Sequence, residues 1–198
     1  MTQDFITAIE PIRNQYVNGY ATWLADKAKA YPQGAGEYLF EIQAQTNFAR
    51  KLCRVDFVSA PGDNAPPHEY SLKSMLGFAP MSDRIDGVEV QLNPFRWDSA
   101  VVEIPGAIWD RDKVIEWFNR WFGFNGKTPW VTVRDKPSGV LHICAWVEPG
   151  MLRIDFGSAP AEALAELIPI ARDSGAQVMS IRDASQMAAR PDAGHVIG

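Results

Sequence analysis

The sequence predicts an α+β fold on a mostly antiparallel sheet. Three observations carry this: short runs with alternating apolar residues, amphipathic helical stretches set between them, and a strand-strand-helix-strand order that occurs twice. The first occurrence is Gly87 to Leu92, Ser99 to Ile104, Asp110 to Phe122 and Val131 to Asp135. The second is Val140 to Val147, Met151 to Phe156, Ala159 to Arg172 and Met179 to Asp183. Matching elements fall about fifty residues apart, and the offset drifts only at loops. The expected organisation is a single domain over 1–183. It holds a duplicated module (86–135 and 139–183), an added N-terminal helix and hairpin (1–59), and a loose tail over 184–198.

The 198 residues suffice for one substantial core, and the 46% hydrophobic and 22% charged content is that of an ordinary globular chain. A net charge of -5 gives no broad attraction for phosphate backbones or anionic lipids, so neither nucleic acid nor membrane is an expected partner. The opening Met1 to Phe5 lacks a basic region followed by an apolar run, and a cytoplasmic address is expected. Cys53 and Cys144 are the only cysteines and read as reduced core thiols.

Taken in order, Thr7 to Glu10 has capping-box spacing, and Pro11 is expected in the first turn of a helix that runs to Ala30. Ile9, Ile12, Tyr16, Tyr20, Trp23 and Leu24 form its apolar face. Glu37 to Gln45 and Ala49 to Ser59 read as a hairpin turning at Thr46 and Asn47, with Cys53, Val55 and Phe57 on one side and Arg54 and Asp56 on the other. Ser59 to Arg84 shows no clear pattern and reads as a lid, a linker, or part of a further repeat with a short helix near Ser71 to Phe78. The last option is motivated by an echo: Arg54-Val55-Asp56-Phe57 with Ser59-Ala60-Pro61 matches Arg153-Ile154-Asp155-Phe156 with Ser158-Ala159-Pro160. Asp110 reads as an N-cap, and Val114, Ile115, Trp117, Phe118, Trp121 and Phe122 as a core-facing stripe. Ser158 reads as the cap of the last long helix, with Pro169 forcing a kink or early stop.

Strand parity assigns the candidate site. Val88, Val90, Leu92, Val102, Ile104, Val131, Val133, Leu141, Ile143, Ala145, Val147, Leu152, Ile154, Phe156, Met179 and Ile181 are expected beneath the helices. The opposite side then carries Glu89, Gln91, Glu103, Thr132, Arg134, His142, Cys144, Trp146, Arg153, Asp155, Ser180 and Arg182. The duplication matches Glu103 to Asp155 and Arg134 to Arg182, two carboxylates and two guanidinium groups that could grip a polar ligand or simply pair across strands.

The leading reading is a binding protein that holds a small polar ligand or a partner protein through Arg134, Arg182, Glu103, Asp155, His142 and Trp146. One rival is a small enzyme with Glu103 or Asp155 as general acid or base and His142 or Arg134 stabilising charge. Another is an inhibitor or immunity-type protein acting by association, for which Trp97, Trp109 and Trp146 should be exposed. No cofactor and no metal is expected: His68, His142 and His195 lack ligand spacing, and no phosphate-cradling or nucleophile motif occurs. Cys144 two residues from His142 is a weak thiol-base pair with no third group.

Overall fold

The computed structural model describes residues 2–42, 47–61, 67–123 and 135–187. Residues 131–134 of the expected strand, with Arg134, lie outside them, as do Thr46 of the first turn and the tail from residue 188, with His195; Ala184–Gln186 form a single 3-10 turn.

Helix α1 spans Thr2–Ala30. It starts ahead of the Thr7 capping box: Thr7 Oγ1 donates to the Gln3 carbonyl one turn back, at 2.9 Å. Pro11 therefore lies inside the helix, where its missing N–H cannot serve the Thr7 carbonyl. The apolar face is as read, with Ile9, Ile12, Tyr16, Tyr20 and Leu24 buried and Trp23 packed beside them. Strands β1 (Ala35–Glu41) and β2 (Leu52–Val58) form the antiparallel hairpin. Its inward positions include the polar ones, since Arg54 and Asp56 are buried while Cys53 and Val55 stay partly open.

Six more strands, β3 (Met81–Ile85), β4 (Val88–Leu92), β5 (Ala100–Glu103), β6 (Ile143–Glu148), β7 (Met151–Asp155) and β8 (Val178–Asp183), form one sheet in the order β3-β4-β8-β5-β7-β6. Only β4 and β8 run parallel; the other neighbours are antiparallel. The class is thus α+β with a mostly antiparallel sheet. Within it β6 and β7 are a tight hairpin, whereas β4 and β5 are separated by β8, so the two expected strand pairs are joined differently. Strand β3 falls in the stretch read as patternless, because four of its five residues are exposed and no alternation marks them. Ser71 to Phe78 form no helix.

Helix α2 (Arg111–Phe122) begins where Asp110 accepts from the N–H groups of Asp112 and Lys113, and ends at Gly123 with φ 76°. The long helix expected after Ala159 is two pieces, α3 (Glu162–Ala165) and α4 (Leu167–Asp173), divided at Glu166. The division places Pro169 in the first turn of α4, where no intrahelical bond needs its N–H. Trp117 Nε1 donates to the Ala163 carbonyl at 2.8 Å, tying α2 to α3, and Trp97 stacks on Phe156 with centroids 4.6 Å apart. Val88, Val90, Leu92, Val102, Leu152, Ile154, Met179 and Ile181 are buried, in step with the expected parity.

Strand β6 departs from it. Cys144 pairs with Ile154 and Ile143 with Asp155, so Cys144 and Trp146 share the apolar side and Ile143 and Ala145 the polar one, one residue out of step with the expectation. Both parities of this run carry apolar residues, so alternation could not decide between them. Among the described residues, no helix is long and apolar enough to cross a membrane.

The two helix prolines should respond oppositely. Pro11→Ala restores a bond inside α1 and is expected to stabilise the protein by about 1–3 kcal/mol. Pro169→Ala should shift stability by less than about 1 kcal/mol. Urea unfolding of both variants is the check, and equal effects would contradict the helix boundaries.

Candidate ligand-binding cleft

The start of β6 is held between two strands. The His142 N–H donates to the Asp155 carbonyl at 3.0 Å, and its carbonyl accepts from the Arg54 N–H at 3.1 Å. Further along, Ala49 N–H reaches the Cys144 carbonyl and Trp146 N–H the Asn47 carbonyl, so the segment before β2 continues the sheet past β6. His142 thus lies between the strands that carry Asp56 and Asp155, and its side chain is 1% exposed. Its Nδ1 is 3.3 Å from Asp56 Oδ1 and 3.8 Å from Asp155 Oδ2, while Nε2 is 3.4 Å from Glu37 Oε1. At these lengths the contacts are ion pairs more than tight hydrogen bonds. Gly157, at φ 51°, lies so close that a Cβ there would sit 2.2 Å from the ring.

Glu37 is wholly buried and leaves the hairpin ladder, which steps from the Gly36–Phe57 pair to Tyr38–Val55. Its φ of 47° is a conformation that non-glycine residues adopt only when their surroundings impose it. Here they do. The carboxylate accepts from Ser138 N–H at 2.8 Å, from the Ser138 and Ser158 hydroxyls and from His142, and its own carbonyl accepts from Arg54 Nη1 at 2.8 Å. Ser158, the expected helix cap, serves this carboxylate instead and accepts from the Gly139 and Val140 N–H groups.

Burial alone would neutralise both partners, but the contacts win. Burial lowers the His142 pKa, and the charge of Asp155 with contacts from Asp56 and Glu37 outweighs it, leaving the imidazole well above its ordinary value. Burial likewise raises Glu37, and bonds from His142, Ser138 and Ser158 bring it below the usual range. Asp155 goes the other way: burial, then the nearby Asp56 and Asp98 charges, push it up to about 7 against the pull of His142 and the Gly157 N–H.

Asp155 also faces outward, its side chain 26% exposed, into a cleft of about 300 Å³ lined by Asp56, Tyr70, Arg96, Asp98, Arg153 and Ile143, among others. The hollow continues past Phe48 and Ala145. Tyr70, from the stretch read as a lid, forms one wall. Its N–H donates to Asp56 Oδ2 at 2.7 Å, its ring packs on Tyr16 and Tyr20, and its hydroxyl lies over Gly19 of α1, where any Cβ would collide with it. Arg96 is occupied by the buried Asp183, at 3.2 Å. Asp98 and Arg153 are not: Asp98 Oδ1 is buried with no hydrogen-bond partner, burial raises that carboxyl, and Arg153 makes no ion pair among the described residues. A larger hollow between α2 and α4 has both its cations already paired, Arg120 to Glu166 and Lys113 to Asp173.

The expected site residues therefore scatter. Asp155 and His142 come together, one in the cleft and the other behind it. Glu103 and Arg182 sit on the polar face but pair with each other at 3.2 Å, the cross-strand alternative. Trp146 is turned to the other side of β6, near Trp109 and Arg111. Arg134 lies outside the described residues. Cys144 is buried and burial raises its thiol pKa, the opposite of an activated nucleophile. Asp56 was marked by the alternation of its strand and by the echo with Asp155, Asp98 and Ser138 by nothing, and Glu37 looked like an ordinary strand residue. The chain matches no family model, no curated protein and no solved structure, so the site is read from its own residues.

Two outcomes follow. Glu37→Gln leaves the imidazolium short of its best-bonded carboxylate and should cost about 3–5 kcal/mol in urea unfolding at neutral pH. Asp155 binds its proton more tightly folded, at about 7, than at its ordinary 3.8, so its contribution to stability is complete below pH 3.8 and is lost as pH rises to 7. Asp155→Asn should remove that decline, flattening the stability–pH curve across this window. Parallel stability–pH curves for the two proteins would show the carboxyl to be unperturbed.

Proposed function

We propose that the protein binds a small polar molecule in the cleft over Asp155. The ligand offers a hydrogen-bond donor to Asp98 and an acceptor to Arg153. The observation that carries this is Asp98 Oδ1: a buried carboxylate oxygen without a partner costs about 1–3 kcal/mol or more, and a ligand donor would recover it, while the exposed Arg153 beside it is free to meet an acceptor. A sugar or a zwitterion such as an amino acid has the required mix of groups, whereas a purely apolar ligand has none. Two unpaired thiols, Cys53 and Cys144, support a cytoplasmic setting.

One observation favours a second reading, that the bound molecule is also transformed. Asp155, with its pKa near neutrality and an imidazolium behind it, is suited to exchange protons with a ligand as general acid or base. Association with a protein through exposed aromatics has less support, since Trp97 and Trp109 are buried. We read the echo around Asp56 and Asp155 as an internal copy of one strand, a reading supported by the convergence of both aspartates on a single imidazole.

A thermal-shift panel of neutral sugars, amino acids and amines tests the binding reading. A molecule that raises Tm is expected to lose roughly tenfold or more in affinity on Asp98→Asn or Arg153→Ala, with the fold intact by circular dichroism. Unchanged affinity in both variants would remove the cleft as its site.

A further inference from the structure

On the other side of β6 a separate hollow of about 320 Å³ is lined by Ile108, Trp109, Arg111, Trp146, Val147 and Pro149, together with Asn47 and Glu148. Three features set it apart from an incidental depression. Ile108, on the loop before α2, is 67% exposed, the most open large apolar side chain among the described residues. Trp109 is 2% exposed, and its indole N–H has no acceptor; the Trp146 indole N–H is also buried without one. Arg111 lies over the Trp146 ring, 5.4 Å from its centroid, and makes no ion pair among the described residues. The backbone holds these groups in place: Trp109 N–H donates to the Pro149 carbonyl and Trp146 N–H to that of Asn47.

The recognition chemistry here favours acceptors. Two indole N–H groups and a guanidinium donate, the Asn47 amide can do either, and the one carboxylate on the lining, Glu148, is already engaged. Indole N–H groups normally find a partner when buried. The walls are apolar and aromatic, and the volume is at the small end of ligand pockets. An occupant must therefore bring acceptors, negative charge and a flat apolar body.

We propose that this hollow is a second binding site, for a small aromatic carboxylate. Its ring lies against Trp146, Ile108 and Pro149, and its carboxylate meets Arg111 and the indole N–H groups. Arginine suits this role because its planar fork matches a carboxylate while its face stays on an aromatic ring. The site is independent of the cleft over Asp155, which offers acceptors as well as donors.

The test uses the whole chain labelled with 15N, whose seven tryptophans give separate indole signals. Trp146→Phe and Trp109→Phe assign two of them, and Trp146→Phe suffices if the more buried variant does not fold. With phenylacetate as the probe, these signals are expected to shift saturably at millimolar concentration. The neutral 2-phenylethanol should leave them in place, and Arg111→Gln should weaken phenylacetate at least about tenfold. The proposal is overturned if the signals stay fixed, if the alcohol moves them equally, or if Arg111→Gln binds as wild type. Shifts confined to residues around Arg153 would put the anion in the other cleft and overturn it as well.

Discussion

An imidazolium sealed from water requires carboxylates around it, and those that meet His142 are drawn from parts of the chain far apart in sequence. Isolated in a low-dielectric interior, either His142 or Glu37 would give up its charge, because burial of a lone ion costs far more than a pKa shift. Both keep it because Glu37 collects donors from Ser138, Ser158 and His142 while His142 touches Asp56 and Asp155 as well. The hairpin brings Glu37 and Asp56, β7 brings Asp155, and the turn after it brings Ser158. Satisfying this one charge therefore fixes how the N-terminal hairpin meets the sheet.

The same constraint shapes the cleft. Asp155 is shared between a buried cation and an open hollow, so it is held by one and available to the other. Burial, with Asp56 and Asp98 near enough to oppose its ionisation, is why a carboxyl beside an imidazolium is pushed up to about 7. The far wall is set by Tyr70, which is itself fixed by α1 through Tyr16, Tyr20 and Gly19. A stretch that looked like a lid is thus pinned along part of its length.

Periodicity made the elements legible: α2 with its Asp110 cap, the face of α1, and strands β4, β5, β7 and β8 stand where the residues place them. It could not give the order of strands, because the insertion of β8 between β4 and β5 is a long-range pairing with no local signature. Parity failed at Leu141 to Val147, where both sides are apolar and the register is imposed by β7. Polar burial was the least legible. The rule that charged residues face out put Arg54 and Asp56 toward solvent or ligand, and only long-range partners explain why they are inside: the Glu37 and Phe122 carbonyls for Arg54, and His142 for Asp56. Strand parity picked out Asp155, His142 and Arg153, and the echo between Arg54-Val55-Asp56-Phe57 and Arg153-Ile154-Asp155-Phe156, read as a sign of a further repeat, paired Asp56 with Asp155.

The one-residue slip in β6 has a consequence for recognition. With the expected parity, His142 and Trp146 would have stood together on the polar face with Asp155, as parts of one mixed surface. With the observed register, Ile143 and Ala145 face the cleft, His142 is withdrawn behind it as a fixed charge, and Trp146 joins Trp109 and Arg111 on the other side. The polar groups are thereby sorted. One side of β6 presents carboxylates and guanidinium groups in an open cleft, and the other sets Arg111 and two indole N–H groups against aromatic walls, with Glu148 already engaged. A ligand that satisfies the first needs both donors and acceptors, whereas one that satisfies the second needs acceptors and an apolar body, so the two hollows select different chemistry although a single strand borders both.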